Sequence, residues 1–360
     1  MSRQSSITVI GPRPPYTGGI SQYNECLLQS FGTSCDVKSV DFTRLYPKTI
    51  YPGVGPHRKE TLNDGIDNLN PKQWNSICQK IIASFPDIVI LHWWTYAIFP
   101  FYCYLAKRLK EHQIPLGIIA HNPNPHQEFG FSKVLRSLIF KNASRIWCHS
   151  VYDQTKLQEA YPNAKVYYHP HPTYSQFESS QTESQSGGTT SVNKPRERTQ
   201  LLFFGFVRAY KGVEILYDLM QSLPEDQFNL RIVGQWWGQP SLKRKLASLN
   251  NVEVINRYVA DSQVAAYFLQ ADALLLPYQS ATGSGVATIA GHFGLPIFGS
   301  DLPQFNELHF ERKLDPHHFL PWKNALIEFH RNKGRSKHSP QIPWQSLAES
   351  LIEGSRMGRV

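Results

Sequence analysis

The chain has 360 residues, 41% of them hydrophobic, so it has material for a large buried core and a length that suits two domains better than one. Thirty-seven basic residues against 28 acidic ones give a formal charge of +9, which favours anionic partners such as nucleotides, acidic glycans, anionic lipid surfaces or nucleic acid. No long Lys/Arg block, helix-turn-helix, zinc finger or RNP-type aromatic motif is visible, so dedicated nucleic-acid binding is disfavoured.

The opening MSRQSSITVIGPRPP holds an apolar run too short for a secretory signal, and Ser6 to Ile10 reads as a first strand. A Gly/Pro loop follows, with Gly18 and Gly19 immediately before the helical pattern SQYNECLLQSF. Glycines there let a ligand approach the backbone, and a helix N-terminus offers free N–H groups to an anion. The same pair is also compatible with a plain turn, since neither G-x-G-x-x-G nor a P-loop is present.

Ile88 to Ala106 carries no charged residue and is about long enough to span a bilayer. His92, Thr95 and Pro100 interrupt it, and it divides into the strand DIVIL and the helix FYCYLAKRLKEH, so a membrane span is rejected. His92, Trp93 and Trp94 close that strand, where aromatics either stack on sugars or on a lipid-linked acceptor or fill an interdomain core.

Leu116 to Ala120 is a third strand, and His121 follows it directly. A histidine there serves as acid/base, as hydrogen-bond donor to a sugar hydroxyl, or as a structural residue. His126 lies among prolines with no carboxylate set, which argues against zinc, and Gln127 and Glu128 add hydrogen-bonding capacity. Ser144 to Cys148 is a further strand before VYDQTKLQEAY, and His169 and His171 in HPHP read as extended residues fixed by proline, not as ligands.

Residues 176–198 are rich in Ser, Thr, Gln and Gly and nearly devoid of apolar side chains, the composition of a flexible linker. Beyond them LLFFGFVRAYKG, Leu201 to Gly212, sets a continuous apolar strand against a turn with Arg208 and Lys211, before a helical pattern from Val213 to Met220. Cations at the carboxyl end of a buried strand stand where open α/β sheets bind ligands, which favours a diphosphate clamp over solvated surface charge. Strand patterns recur at Leu230 to Val233, Val252 to Ile255, Ala273 to Pro277 and Pro296 to Phe298. In PYQSATGSGVATIAGHFGLPIF the amides of Gly283, Ser284 and Gly285 precede a helix around Val286 to Phe293 and suit a phosphate, with Thr282 and Ser284 hydroxyls beside them; the alternative is a capped helix start. The tail from Asp315 holds two helical pieces, WKNALIEFH and PWQSLAESLIEG, of a kind that packs back on an N-terminal domain, though their sequence leaves their place open. Five cysteines without a C-x-x-C pair describe neither a disulfide framework nor a zinc site and point to a reducing compartment.

Alternating strand and helix on both sides of the linker is the repeat of doubly wound parallel sheets. Together ITVIGPRPPYTGGISQ, PDIVILHWW, AHNPNPHQ, HSVYDQTKL, LLFFGFVRAYKGVEIL, ADALLLPYQSATGSGV and GLPIFGSDLPQFNEL resemble the family-4 retaining glycosyltransferases of the GT-B fold. That resemblance implies an α/β chain of two Rossmann-like domains facing across a cleft. An acceptor-side domain would occupy residues 1–175, a linker 176–198, a nucleotide-sugar domain 199–314 and C-terminal helices 315–360. It implies a donor diphosphate held by Arg208 and Lys211, closure of the Gly18-Gly19 loop over it, His121 beside the transferred sugar, and donor contacts from Thr282, Gly283, Ser284, Gly285 and Glu307. No metal and no separate cofactor is expected, because side chains and helix ends supply the positive field. The E-x7-E pair common in that family is absent: Ala281 and Ile289 stand at its places, as Leu302-Pro303 stands where Gly-Gly is common. The expected activity is cytoplasmic transfer of a sugar from a nucleotide diphosphate-sugar to a glycan or lipid-linked acceptor, with retention and with peripheral membrane association open. The alternative is a noncatalytic nucleotide- or glycan-binding protein on a degenerate GT-B scaffold.

Overall fold

The structure, a computed structural model, describes residues 4–46, 65–123, 132–174, 177, 198–332 and 341–356. His126, Gln127, Glu128 and nearly all of the 176–198 linker lie outside the described residues. The chain divides into two compact units, Met1–His171 with Ile342–Val360, and Pro172–Gln341.

In chain order the first unit comprises β1 (Ser6–Ile10), α1 (Gly19–Ser30), β2 (Asp36–Val40), β3 (Phe42–Arg44), β4 (Ile66–Asp67), α2 (Pro71–Ala83), β5 (Ile88–Trp93), α3 (Phe99–Glu111), β6 (Leu116–Ala120), α4 (Ser132–Phe140), β7 (Arg145–Cys148), α5 (Val151–Ala160) and β8 (Lys165–Tyr168). Six strands form one parallel sheet in the order β2-β1-β5-β6-β7-β8, while β3 and β4 pair separately. Every residue of β1, β5, β6 and β7 is buried, because helices cover both faces of a parallel sheet and leave no polar side to alternate with.

The second unit comprises β9 (Thr199–Phe204), α6 (Glu214–Ser222), β10 (Phe228–Val233), α7 (Pro240–Ala247), β11 (Val252–Ile255), α8 (Asp261–Leu269), β12 (Ala273–Leu276), α9 (Gly285–His292), β13 (Ile297–Ser300), β14 (Arg312–Leu314) and α10 (Phe319–Asn332). Its sheet is also wholly parallel, in the order β11-β10-β9-β12-β13-β14. Both sheets therefore reverse the direction of winding beside their first strand, between β1 and β5 and between β9 and β12. Such switch points are where doubly wound sheets hold ligands.

The tail serves both units. Helix α10 packs on α6, with Trp322 and Leu326 fully buried. The last helix, α11 (Trp344–Arg356), packs on α1, and its Leu347, Ala348, Leu351 and Ile352 join Ile7, Val9, Leu27 and Trp147 in one apolar cluster. Trp147 donates its indole N–H to Ser350 at 3.1 Å, fixing that helix to the sheet. Ile88–Ala106 resolves into β5, a 3₁₀ turn at Tyr96–Ile98 and the start of α3, and among the described residues no helix is long and apolar enough to cross a membrane. None of the five cysteines is in a disulfide; burial pushes Cys35 up to about 11 and Cys78 up to about 12, so neither is nucleophilic at neutral pH.

Candidate functional site

In the second unit the apolar strand expected at the start of Leu201 to Gly212 ends at Phe204, and the chain turns there on Gly205. Arg208 then precedes a 3₁₀ turn, Ala209–Lys211, which closes on Gly212 in the left-handed region at φ 65°. A Cβ on Gly212 would lie 1.8 Å from the Pro277 carbonyl oxygen, so the turn is pressed against the loop after β12, and the Gln279 N–H donates to the Tyr210 carbonyl at 2.8 Å across the same junction. Neighbouring strands β9 and β12 thus deliver the two loops expected to face a phosphate to one place.

Lys211 is the chemically exceptional residue of this unit. It is only 8% exposed, and among the described residues its ammonium makes no ion pair. Its Nζ lies 4.9 Å from the Tyr278 ring centroid and about as near as van der Waals contact allows to Gly205, where an added Cβ would meet it at 3.3 Å. Burial lowers its pKa, and the neighbouring Arg208 cation lowers it further. Lysines are almost never enclosed without a counter-ion. Arg208, by contrast, is exposed and rests over the Trp237 ring at 5.2 Å.

Helix α9 begins beside Lys211: Val286 lies 3.5 Å from the position a Cβ would take on Gly205, on which Lys211 also closes. Its N-cap is Ser284, whose hydroxyl accepts from the Ala287 N–H at 3.2 Å and is hydrogen-bonded to Tyr278. The Ser284 hydroxyl is therefore committed to the fold, and the expected hydroxyl help narrows to Thr282, half-buried in the same loop. The amides of Gly283, Ser284 and Gly285 have no acceptor among the described residues. Glu307 follows the 3₁₀ turn Pro303–Phe305 at the carboxyl end of β13, with Oε2 enclosed and unpartnered. Ala281 and Ile289, where the resemblance leads one to expect carboxylates, are 4% and 7% exposed and belong to buried apolar packing.

In the first unit Gly18 is the N-cap of α1, and nothing lies within 4 Å of where a side chain on Gly18 or Gly19 would project, leaving that helix start open to approach. Tyr23, one turn on, reaches the carboxyl ends of the sheet. Four adjacent parallel strands there end on histidines: β5 on His92, β6 on His121, β7 on His149, and β8 on His169 and His171. The Tyr23 ring meets His121 at 4.4 Å, His92 at 5.6 Å, His149 at 5.5 Å and His171 at 5.4 Å, and Trp344 of α11 closes the group at 4.8 Å. Burial lowers the pKa of His92 to about 3 and holds His121 and His149 well below 6.5, so these three are uncharged at neutral pH.

His169 and His171 are extended, as their prolines require, but belong to this cluster and do not merely lead into the linker. His149 drew no attention in the sequence, although IWCHS repeats the pattern of VILHW and IIAHN, an apolar strand closed by a histidine. Trp93 is a core residue, 1% exposed against Tyr96 and Phe140, whereas Trp94 is half-buried and donates to the Tyr46 hydroxyl at 3.1 Å. Among the described residues no group of three or more His, Cys, Asp or Glu side chains is arranged to hold a metal ion.

Residues 189–312 match the family described as Glycosyl transferases group 1. A GDP-mannose:glycolipid 4-beta-D-mannosyltransferase of Xanthomonas campestris pv. campestris is 23% identical over 197 residues, 54% of this chain and 52% of that protein, so the chain spans about half the length of the curated relatives it matches. Among solved structures, sucrose-phosphate synthase from Thermosynechococcus elongatus superposes with a TM-score of 0.67 over 99% of both chains at 14% identity. Anabaena HepE in complex with UDP and glucose gives 0.63 over 98% of this chain and 97% of that one at 12% identity. A proposed UDP-N-acetylglucosamine 2-epimerase from Listeria monocytogenes gives 0.57 over 97% and 95% at 14% identity. Likeness at this identity establishes architecture and leaves the reaction to the site. The chain has the GT-B fold, two Rossmann-like doubly wound parallel-sheet domains, and the Glycosyl transferases group 1 match covers β9 to β13 of the second.

Proposed function

We propose that the protein is a glycosyltransferase of the family-4 type that moves a sugar from a nucleotide diphosphate-sugar to a glycan or lipid-linked acceptor, with retention of configuration and without a metal. The observation that carries this reading is the enclosed, unpaired ammonium of Lys211 at the β9/β12 switch point, beside a helix start with free amides. A nucleoside diphosphate supplies the two negative charges that such a site lacks. On bond cleavage the leaving diphosphate gains charge, and Lys211, Arg208 and the amides of Gly283 to Gly285 are placed to stabilise it more in the transition state than in the ground state. Those groups supply the field that a Mg²⁺ ion supplies elsewhere, which supports metal independence. Thr282 and Glu307 are assigned to the donor, and Gly18 and Gly19 to closure over it. His121 is assigned to the transferred sugar.

The similarity to a GDP-mannose:glycolipid mannosyltransferase makes GDP-mannose and a glycolipid the first donor and acceptor to assay, with UDP-sugars as the second donor set. The free thiols and the +9 charge support a cytoplasmic protein working beside an anionic lipid surface. The test is release of nucleoside diphosphate from GDP- and UDP-sugars by the intact chain and by Lys211→Ala. Turnover that falls on the order of a hundredfold or more in the variant supports the assignment. Equal turnover in both proteins overturns it. The buried alanine and isoleucine at positions 281 and 289 favour one competing reading, a nucleotide binder without transferase activity; tight nucleotide binding with no turnover on any donor would establish that reading instead.

A further inference from the structure

The hydrogen bonds within the histidine row determine where its protons sit. His149 Nδ1 lies 2.8 Å from the His169 carbonyl oxygen, which only accepts, so Nδ1 carries the proton and Nε2 accepts from the Tyr23 hydroxyl at 2.9 Å. His92 Nδ1 lies 2.8 Å from His121 Nε2, with the two ring planes within 7° of each other. One nitrogen of that pair must donate. His92 is fully buried and its Nε2 is enclosed with no partner among the described residues. An enclosed, unpaired N–H is rarer and costlier than an enclosed lone pair, so the His92 proton sits on Nδ1 and is donated to His121. A neutral His121 that accepts at Nε2 carries its own proton on Nδ1.

The surroundings keep this arrangement in place. Gly11 admits the His92 ring, since a Cβ there would meet its Cδ2 at 2.7 Å, and Tyr23 stands edge-on to His121 at 88°. Among the described residues the titratable groups facing His121 are His92, His149, His171 and Tyr23, none of them a carboxylate that would stabilise an imidazolium.

We propose that His92 is a positioning residue that fixes His121 as the neutral Nδ1–H tautomer, a hydrogen-bond donor and not a proton acceptor. The tautomer stands on this geometry alone; its consequence, that His121 donates to a hydroxyl or ring oxygen of the transferred sugar, rests on the function proposed above. Histidine-selective ¹⁵N labelling of the full chain with long-range ¹H–¹⁵N correlation reads the tautomer directly, the His121 signals being identified by their loss in His121→Ala. The expected wild-type pattern is a protonated Nδ1 and a bare Nε2. In His92→Phe the pattern should reverse or mix, and in His92→Asn, whose amide nitrogen sits near the Nδ1 position, it should be retained. A wild-type His121 protonated on Nε2 overturns the proposal, as does an unchanged pattern in folded His92→Phe; should that variant not fold, the wild-type spectrum decides. In turnover, His92→Phe should lower kcat about tenfold or more with the donor KM near wild type, and His92→Asn should restore it. A wild type without turnover refutes the proposed function and leaves the tautomer assignment intact.

Discussion

Lys211 and Gly212 are adjacent and answer to different demands. Lys211 is enclosed with no carboxylate beside it among the described residues, so the fold gains nothing there from its charge and bears its desolvation. Lys211→Met should therefore leave the melting temperature unchanged or raise it, while abolishing stabilisation by nucleoside diphosphates; a large drop in melting temperature would show the ammonium to be structural. Gly212 serves only the fold. Its φ of 65° and the Pro277 carbonyl 1.8 Å from any Cβ leave no room for a side chain, and Gly212→Ala should cost at least about 2 kcal/mol in urea unfolding. Position showed both residues at a strand-to-turn junction, and the glycine and cations were legible there. Burial without a counter-ion was not, because it depends on what the loop after β12 brings, some seventy residues along the chain.

At the scale of elements, the buried strands were the easiest to read. Leu116–Ala120 falls where its apolar run places it and Ala273–Leu276 ends one residue short of its run, since strands covered on both faces carry almost no polar side chain. The edge strands β2, β8 and β14 escaped because Asp36, Lys38, Lys165, Arg312 and Lys313 face solvent at the rims of their sheets and break the run. The histidine row escaped for another reason: its members lie 20 to 30 residues apart and meet only through parallel pairing. That row predicts acid sensitivity. His92 titrates near 6.5 in the unfolded chain and near 3 in the folded one, so below about pH 6.5 the unfolded state binds a proton that the folded state excludes. Stability is complete above that pH and falls on acidification, by about 2 kcal/mol from His92 alone at pH 5, with His121 and His149 adding in the same direction. Urea midpoints at pH 7.5 and 5 test this, and His92→Asn should flatten the difference; a midpoint that rises on acidification would contradict it. Helix α11 carries the other prediction at this scale. Leu351→Ala empties a fully buried site in the cluster with Ile7 and Val9 and should cost about 3 kcal/mol, whereas a cost near zero would mean that the helix does not hold its unit together.

For the whole molecule, the chain crosses from the first unit to the second and returns, so the C-terminal helix completes the domain built from the N-terminus. The first unit carries an uncharged histidine row and an open helix start, and the second carries an unpaired cation beside free amides. Charge is thus concentrated where a diphosphate is expected and absent where a sugar is expected. With Ala281 and Ile289 apolar and buried, this division identifies the expected leaving group more firmly than the sugar. The most direct test of the central claim is calorimetric titration of GDP and UDP into the wild-type chain and Lys211→Met. The account predicts saturable binding of at least one of the two by the wild type, about 2.7 kcal/mol of added stability at 100 times its dissociation constant, and loss of both effects in the variant. Failure of both nucleotides to bind, or equal binding to both proteins, would contradict it.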